Sequence, residues 1–241
     1  MVPEVGVSQS GRTVVVGDVH GCSDELERLL ELVQFEDGDA LYFLGDMLSR
    51  GPDPEAVLAL FRRTRARGVR GNHDDALLRW HARRREGGPE LHLGRANQKL
   101  ALQLEPADWE ALESLALYIE LPSHDLVLVH AGLIPGIALE AQPLEALLSM
   151  RYLGPNNEPI EKGGSILWGA RYVGPPHVLF GHNAGREVQL HEWATGIDTG
   201  AVYGQRLTAV VLDPGAKMPP IERRSEVLFS VPSRARYYVP R

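Results

Sequence analysis

Six short motifs combine glycine with Asp, His or Asn, and most of them directly follow an apolar, β-rich run. Such runs are typical of strands, and the carboxyl ends of neighbouring strands meet at the edge where open α/β sheets bind ligands. Carboxylate, amide and imidazole groups gathered at one edge predict a metal cluster with two ions. The motifs are GDVHG at 17–21, GDMLSRG at 45–51, GNHD at 71–74, HAG at 130–132, GH at 181–182 and DTG at 198–200.

The side chains of these motifs supply three oxygen donors and three imidazoles. This mixture suits Mn²⁺, the ion we expect, or Co²⁺, Fe²⁺ or Zn²⁺, better than Ca²⁺ or an all-oxygen Mg²⁺ site. Asp46 is placed in the chain order to bridge two ions, and ions ~3.5–4 Å apart can clamp the attacking and leaving oxygens at phosphorus while activating a water. The expected ligands are Asp18, His20, Asp46, Asn72, His130 and His182. The histidines at 81, 92, 124, 177 and 191 match no motif and are expected to lie outside this set.

Composition narrows the possible classes of protein. The 241 residues are enough for one large domain with its own core. A net charge of −7 does not favour a protein that coats nucleic acid. The single cysteine, Cys22, excludes an intramolecular disulfide and fits a reducing compartment. Because no uncharged apolar run reaches roughly 18 residues and the start lacks the pattern of a signal peptide, we expect a cytoplasmic protein with no membrane or nucleic-acid partner.

The segments between the motifs alternate between strand and helix patterns. Strands at 13–16, 40–44 and 69–70, with helices at about 25–33 and 54–67 between them, predict a βαβ arrangement with parallel pairing. We interpret residues 1–241 as a single domain with its core at about 13–212. Residues 75–119 form a predicted helical insertion and residues 213–241 a C-terminal extension, in which 226–231 is either an added edge strand or part of a loose tail.

The ordered set of motifs resembles that of the calcineurin-like metallophosphoesterases, over residues 13–212. More narrowly, it is similar to the PPP-type group, which contains protein serine/threonine phosphatases and the bacterial symmetrical diadenosine tetraphosphate hydrolases. The resemblance implies an α/β fold in which a metallophosphoesterase-type β-sandwich is flanked by helices. It also implies that the dinuclear site lies on the rim of the sheets.

The same resemblance implies roles for individual residues. Arg50 would be a phosphate clamp and His73 the proton donor to the leaving group, beside the catalytic Asp46. Asn72 and Arg171 would complete the phosphate-binding set, although the match at Arg171, three residues after Trp168, is looser. The two metals would be held by sets that share one carboxylate, namely Asp18, His20 and Asp46 for one ion, and Asp46, Asn72, His130 and His182 for the other.

Position 49 separates two substrate classes within the PPP-type group. The protein phosphatases carry an Asp here that orients the catalytic His, whereas this chain has Ser49, and the diadenosine tetraphosphate hydrolases also have a small residue. A seryl alkoxide needs a well-oriented proton donor, while a nucleoside diphosphate leaves more easily because its terminal phosphate has a second pKa of only ~6. Ser49 itself, or Asp74, could still orient His73.

These observations predict a phosphoanhydride hydrolase that cleaves dinucleoside tetraphosphates symmetrically into two nucleoside diphosphates. The alternative is a bacterial serine/threonine phosphoprotein phosphatase of the PPP type, with a phosphoprotein as its substrate. A third hypothesis is a binding module that keeps the fold without catalysis, although every ligand position is filled. The partner expected under the leading hypothesis is a small nucleotide.

Overall fold

Two five-stranded sheets form the centre of the molecule in the computed structural model, which describes residues 11–89 and 91–240. The strands are β1 (Thr13–Val16), β2 (Ala40–Phe43), β3 (Arg67–Gly68), β4 (Tyr118–Leu121), β5 (Leu126–Val129), β6 (Tyr152–Leu153), β7 (Pro159–Ile160), β8 (Ile166–Leu167), β9 (His177–Phe180), β10 (Gln189–Leu190), β11 (Ala194–Gly196), β12 (Arg206–Leu212) and β13 (Leu228–Pro232). The α-helices are α1 (Ser23–Leu32), α2 (Pro54–Arg63), α3 (Asn72–Arg85), α4 (Arg95–Gln103), α5 (Pro106–Glu113) and α6 (Leu144–Ser149).

The topology places parallel strands at the centre of each sheet. The first sheet has the order β13-β12-β1-β2-β3, and β1, β2 and β3 run parallel as the βαβ pattern predicted. The second has the order β10-β11-β9-β5-β4, with β9 parallel to both β5 and β11. Antiparallel strands lie on one side of the first sheet, at β12 and β13, and on both sides of the second, at β10 and β4. Strands β7, β6 and β8 form a small third sheet.

Alternation along β1 shows how the layers are built. Val15 points between the two sheets, where it belongs to the same buried cluster as Leu128 and Leu179 of the second sheet. Val14 and Val16 point to the other face and pack with helices α1 to α5. Successive strand residues face opposite sides, so this apolar strand contributes to both layers. With α6 covering the outer face of the second sheet, the predicted β-sandwich flanked by helices is confirmed.

The helical insertion packs on the first sheet. Leu77 and Trp80 of α3 and Trp109 and Leu112 of α5 are buried in the cluster that contains the outer face of β1 and β2. The helical pattern was predicted to run to residue 119, but β4 already begins at Tyr118 because this segment pairs antiparallel with β5. No helix among residues 11–89 and 91–240 is long and apolar enough to cross a membrane.

Two predicted boundaries around β3 are wrong by a few residues. Helix α2 ends at Arg63 rather than near residue 67, and Arg65 follows with a positive φ of 53° that turns the chain out of the helix. The strand predicted at 69–70 is β3, two residues earlier, where it pairs with β2. Val69 instead forms an isolated bridge with Ala116.

The C-terminal extension adds an edge strand to the first sheet. Strand β13 pairs antiparallel with β12, which decides between the two arrangements left open by the sequence, although it begins at Leu228 instead of residue 226. The chain then returns toward the carboxyl ends of the central strands. There the backbone N–H groups of Tyr237 and Tyr238 both donate to the carbonyl of Val202.

Candidate metal centre

The predicted ligands meet at the carboxyl ends of the parallel strands of both sheets. Asp18 and His20 follow β1, Asp46 follows β2, and His130 and His182 follow β5 and β9. Their donor atoms form two groups, each within 4.8 Å, that share Asp46. One group is Asp18, His20 and Asp46, and the other is Asp46, His130 and His182. Asn72 lies in the first turn of α3 and reaches the second group.

Hydrogen bonds fix which nitrogen of each imidazole carries the proton in the second group. Nδ1 of His130 lies 2.7 Å from the carbonyl of Leu44, and Nε2 of His182 lies 3.0 Å from that of Ser149. Since a carbonyl only accepts, these nitrogens carry the protons and the opposite nitrogens keep their lone pairs. A backbone carbonyl commonly orients a metal-binding histidine in this way.

The free lone pairs converge on other acceptors. Nε2 of His130 and Nδ1 of His182 lie 3.1 and 3.0 Å from Oδ1 of Asn72. Oδ2 of Asp46 lies 3.7 Å from the same Nε2 of His130. With Oδ1 of Asn72 facing the two imidazoles, four acceptors lie together with no proton between them. A cation relieves this repulsion, so the donor set fits a divalent metal ion.

The first group has a different arrangement. Nε2 of His20 lies 3.6 Å from Oδ2 of Asp46 and also accepts a hydrogen bond of 3.0 Å from Nη1 of Arg50. Binding a cation through this nitrogen therefore requires Arg50 to release it. Nδ1 of His20 is buried without a hydrogen-bond partner among the described residues. The carboxylate of Asp18 accepts the backbone N–H of His182, which ties β1 to β9.

Burial of unpaired carboxylates favours a bound cation at this site. Asp18, Asp46 and Asp198 are each less than a tenth exposed, and none of them forms an ion pair with a lysine or arginine in the described part of the chain. Burial, reinforced by Asp198 and Asp46, raises the pKa of Asp18 well above its usual value. Burial lowers the pKa of His20 to about 3 and that of His182 to about 2, so both imidazoles are neutral near pH 7 and can act as ligands.

Backbone strain is concentrated at this rim. His20, Asp46, Arg50 and His182 have positive φ angles of 48°, 48°, 79° and 61°. Non-glycine residues adopt such angles at a cost of order 1–3 kcal/mol each, and they cluster at functional sites. The motif glycines provide room for this arrangement. A Cβ on Gly71 would overlap the Asp46 carboxylate, just as one on Gly181 would overlap that of Asp18.

Asp74 supports the loop that carries Asp46. Its carboxylate accepts the backbone N–H groups of Gly71, Asp46 and Met47 at 3.1, 2.8 and 3.3 Å. Burial, together with the nearby Asp46, raises the pKa of Asp74 to about 7. The described hydrogen bonds of this carboxylate all come from backbone N–H groups. The structure therefore does not show Asp74 orienting the His73 ring.

The predicted proton donor has no orienting carboxylate. The backbone N–H of His73 donates to Oδ1 of Asp46, but within residues 11–89 and 91–240 no carboxylate is hydrogen-bonded to its imidazole ring. That ring lies edge-on to His20, with 5.3 Å between the ring centres. Ser49 is buried, and its hydroxyl has no partner among the described residues. Burial also lowers the pKa of His73.

Arg50 is held by two tyrosines that sequence reasoning missed as functional residues. Its Nη1 donates to the hydroxyl of Tyr203 at 2.8 Å. Its guanidinium carbon lies 5.8 Å from the centre of the Tyr203 ring and 5.2 Å from that of Tyr238. Tyr203 follows the DTG motif, whereas nothing near Tyr238 in the sequence indicated that the C-terminal extension would reach the site.

Arg171, a further candidate phosphate ligand, is hydrogen-bonded to a turn between two strands of the third sheet. Nη1 of Arg171 donates to the carbonyl of Gly154 at 3.2 Å and to Oδ1 of Asn157 at 3.3 Å, in the turn between β6 and β7. Among the described contacts, none joins Arg171 to the metal ligands, so its assignment remains a prediction. Arg151, which no motif marked, does reach the rim and lies 3.5 Å from the carbonyl of His182.

Asp198 also belongs to the rim, although in the sequence it is marked only as part of the DTG motif and not as a site residue. It is buried, and one oxygen accepts the backbone N–H of Gly200 at 3.0 Å. Burial, with Asp46 nearby, raises the pKa of Asp198 to about 6. Its position after β11 is the signal that could have identified it, because β11 runs parallel to β9.

Comparison with known proteins gives a consistent family and two different enzyme names. The chain is 29% identical to bis(5'-nucleosyl)-tetraphosphatase PrpE [asymmetrical] of Halalkalibacterium halodurans, over 91% of this chain and 93% of that protein. It is 38% identical to the symmetrical bis(5'-nucleosyl)-tetraphosphatase of Shewanella baltica, over 55% of this chain but only 48% of that protein. The chain thus matches about half the length of the symmetrical enzyme.

A solved structure agrees with the family over nearly the whole chain. The crystal structure of a protein proposed to be a diadenosine tetraphosphatase matches with a TM-score of 0.79 and 32% identity, covering 96% of both chains. The sequence profile of the calcineurin-like phosphoesterases matches residues 11–209, which include all six predicted metal ligands. The chain therefore belongs to the calcineurin-like phosphoesterase family and is a metal-dependent phosphohydrolase.

Proposed function

We propose that this chain hydrolyses dinucleoside tetraphosphates with two divalent ions, of which Mn²⁺ is expected to support the highest activity. The observation that carries the proposal is the pair of donor groups that share Asp46. Arg50 and His73 lie on either side of this shared carboxylate. Arg50 is hydrogen-bonded to the neighbouring ligand His20, and the backbone N–H of His73 donates to Asp46 itself. The names of the relatives support the choice of substrate.

The residues of the chain have separable tasks in this reaction. Asp18, His20, Asp46, Asn72, His130 and His182 would hold the ions, which supply Lewis-acid activation of water and of phosphoryl oxygens when bound. The planar guanidinium of Arg50 can hold two phosphoryl oxygens at once and match the charge of the transition state. His73, at the start of α3, can give a proton to the departing oxygen.

The surroundings of His73 favour an anhydride over an alkyl phosphate ester. Its lowered pKa reduces the protonated fraction near pH 7, and no described carboxylate orients its ring. A serine alkoxide needs an oriented proton donor, whereas a nucleoside phosphate leaves as a stable anion. The carboxylate that could have served, Asp74, is already bound to three backbone N–H groups.

The position of the cut is a finer part of the proposal. We retain the symmetrical cut, which gives two nucleoside diphosphates, as the predicted reaction. The names of the relatives disagree on the position of the cut. The protein matched over 93% of its length is named asymmetrical, whereas the Shewanella enzyme is named symmetrical. Chromatography of the products of diadenosine tetraphosphate distinguishes two adenosine diphosphates from adenosine mono- and triphosphate.

The substrate class is tested by measuring kcat/KM for diadenosine tetraphosphate, a phosphoserine peptide and p-nitrophenyl phosphate on Mn²⁺-loaded protein. We expect the tetraphosphate to be the preferred substrate. The variant Ser49→Asp should raise the ratio of peptide to tetraphosphate turnover, because a carboxylate at this position can orient and charge His73. Ser49→Ala is the matched control and should leave the ratio unchanged. A wild-type preference for the peptide would contradict the proposal and support the phosphoprotein phosphatase alternative.

A further inference from the structure

An open cleft of about 500 Å³ lies beside Arg50 and is not explained by the metal centre. Tyr203 belongs to both, since it lines the cleft and its hydroxyl accepts the hydrogen bond from Arg50. The basic residues of the cleft come from three separate parts of the chain. They are Arg151 from the segment before β6, Lys162 from the loop after β7, and Arg236 from the C-terminal extension.

The charge of this cleft is opposite to that of the chain as a whole. A neighbouring cleft of about 460 Å³ shares Tyr203 and Arg236 and adds Arg186. The described lining of the two clefts thus contains several cationic side chains but one carboxylate, Glu161, which lies 3.6 Å from Lys162. In a chain with a net charge of −7, such a local excess of positive charge favours a polyanionic ligand.

Arg151 adds an observation that is independent of the charge count. Its Nε is buried and has no hydrogen-bond acceptor among the described residues, and its Nη2 makes only a long contact of 3.5 Å with the carbonyl of His182. A buried guanidinium N–H without an acceptor carries a desolvation penalty. A phosphate oxygen is a suitable partner, because arginine binds phosphate through several N–H groups at once.

The C-terminal extension is held firmly enough to form one wall of this cleft. The fully buried carboxylate of Glu25 accepts the backbone N–H of Arg234 at 2.9 Å and the hydroxyl of Tyr237 at 3.0 Å. Arg234 also forms an ion pair of 2.7 Å with Asp24. Two residues later, Nε of Arg236 donates to the carbonyl of Tyr203 at 3.3 Å, so its guanidinium lies on the side of the cleft.

We propose that this cleft, defined by Arg151, Lys162, Tyr203 and Arg236, binds the part of a nucleoside polyphosphate that extends beyond the phosphorus under attack. The inference rests on the proposed function. Arg151 and Arg236 bind oxygens of the distal phosphates, and Tyr203 connects this subsite to Arg50 at the metal centre. The C-terminal extension is then part of the active site and contributes to the choice between a polyphosphate and a simple phosphate ester.

The test compares two arginines of the same segment, Arg236→Gln and Arg234→Gln. We expect Arg236→Gln to lower the ratio of kcat/KM for diadenosine tetraphosphate to kcat/KM for p-nitrophenyl phosphate about tenfold, from the loss of one charge-assisted hydrogen bond. Most of the change should lie in KM. Arg234→Gln removes an equal charge from the same segment, but Arg234 is paired with Asp24 and does not line the cleft. This variant should leave the ratio within about twofold. Thermal unfolding of both variants checks that the extension remains folded.

A second measurement separates this proposal from the proposed function. Inorganic tripolyphosphate should inhibit p-nitrophenyl phosphate hydrolysis competitively, and Arg236→Gln should raise its inhibition constant about tenfold while Arg234→Gln does not. If the wild type cleaves the tetraphosphate but Arg236→Gln changes neither the ratio nor the inhibition constant, the subsite is wrong and the function stands. If the wild type does not cleave the tetraphosphate but inhibition still depends on Arg236, the function is wrong and the subsite stands.

Discussion

The two ends of the central strands use buried histidines in opposite ways. At the carboxyl ends, the lone pairs of His130 and His182 face the amide oxygen of Asn72. At the amino ends, Nε2 of His124 bonds the hydroxyl of Thr13 and its Nδ1 bonds the carbonyl of Ala216. His177, the first residue of β9, bonds the hydroxyl of Thr195. The residue types and burial are similar at both ends, but only one end has acceptors facing acceptors.

This difference shows what distinguishes a metal ligand from a structural histidine. A threonine hydroxyl can both donate and accept, so it can pair with the imidazole nitrogen that faces it at the amino ends. At the carboxyl ends, carbonyl groups take the imidazole protons and leave the opposite nitrogens without donors. The first arrangement is satisfied by the protein itself, whereas the second favours a bound cation. Burial alone therefore does not identify the metal site.

The largest expected effect is the loss of activity when the metal set is broken. Chelation should reduce phosphohydrolase activity at least about 10³-fold, and added Mn²⁺ should restore it, since the ions supply both water activation and charge stabilisation. Asp46→Asn should cause a comparable loss that Mn²⁺ does not restore, because both donor groups share this carboxylate. His177→Gln, at the other end of β9, should stay within about twofold of the wild type. Full activity in the metal-free protein would contradict the dinuclear mechanism.

The next effect depends on the leaving group. His73→Ala should slow hydrolysis of alkyl phosphates by about 10²–10⁴-fold, which is the usual contribution of a general acid. Diadenosine tetraphosphate and p-nitrophenyl phosphate should be affected far less, because their leaving groups need little protonation. The measurement is a plot of the log of kcat/KM against leaving-group pKa for both proteins. A parallel displacement of the two plots, with no change in slope, would show that His73 is not the proton donor.

A smaller effect is expected from Arg50→Lys. The lysine keeps the positive charge but loses the fork that holds two oxygens, and it cannot reproduce the contact with the two tyrosine rings. Loss of one hydrogen bond to a charged group is worth about 1.5–3 kcal/mol, so kcat/KM should fall roughly 10- to 150-fold. Tyr203→Phe removes only the hydroxyl that positions Arg50 and should give a smaller loss. Activity of Arg50→Ala within about twofold of the wild type would mean that Arg50 does not bind phosphate.

The smallest effect concerns stability at the amino ends. Burial, together with the positive charge of Arg224, lowers the pKa of His177 to about 3. Because the unfolded chain binds this proton near pH 6.5, the folded state loses stability as the pH falls below that value, by about 2 kcal/mol at pH 5. His177→Gln should reduce the loss of unfolding free energy between pH 7 and pH 5 by this amount, as measured by urea denaturation.

The exposed His92 provides the matched control for this experiment. His92→Gln makes the same chemical change at a site that is exposed to solvent, and it should keep the pH dependence of the wild type. Equal pH dependence in His177→Gln and the wild type would show that His177 does not contribute to the acid sensitivity. Both variants should retain phosphohydrolase activity, because neither residue touches the metal centre.

The sequence by itself predicted the α/β pattern and the polar side chains that the fold brings together at the rim. Apolar β-rich runs that end in Gly with Asp, His or Asn indicate both the strands and their ligands. Because the carboxyl ends of parallel strands share an edge, the sequence alone predicts that Asp18 and Asp46 lie close together. Position 49 pointed to the class of leaving group, since the missing carboxylate is a local feature of one motif.

Only the tertiary structure decided the surroundings of these ligands. Tyr203 lies 153 positions from Arg50 in the chain, and no periodicity or spacing predicts such a contact. The same holds for Arg151, which reaches the carbonyl of His182, and for Arg236, which the edge strand β13 carries to the cleft. The positions of motifs at strand ends can be predicted from the sequence, because regular backbone geometry brings these motifs together. Contacts between irregular segments depend on how the whole chain packs, and under our proposal they decide which substrate the site binds.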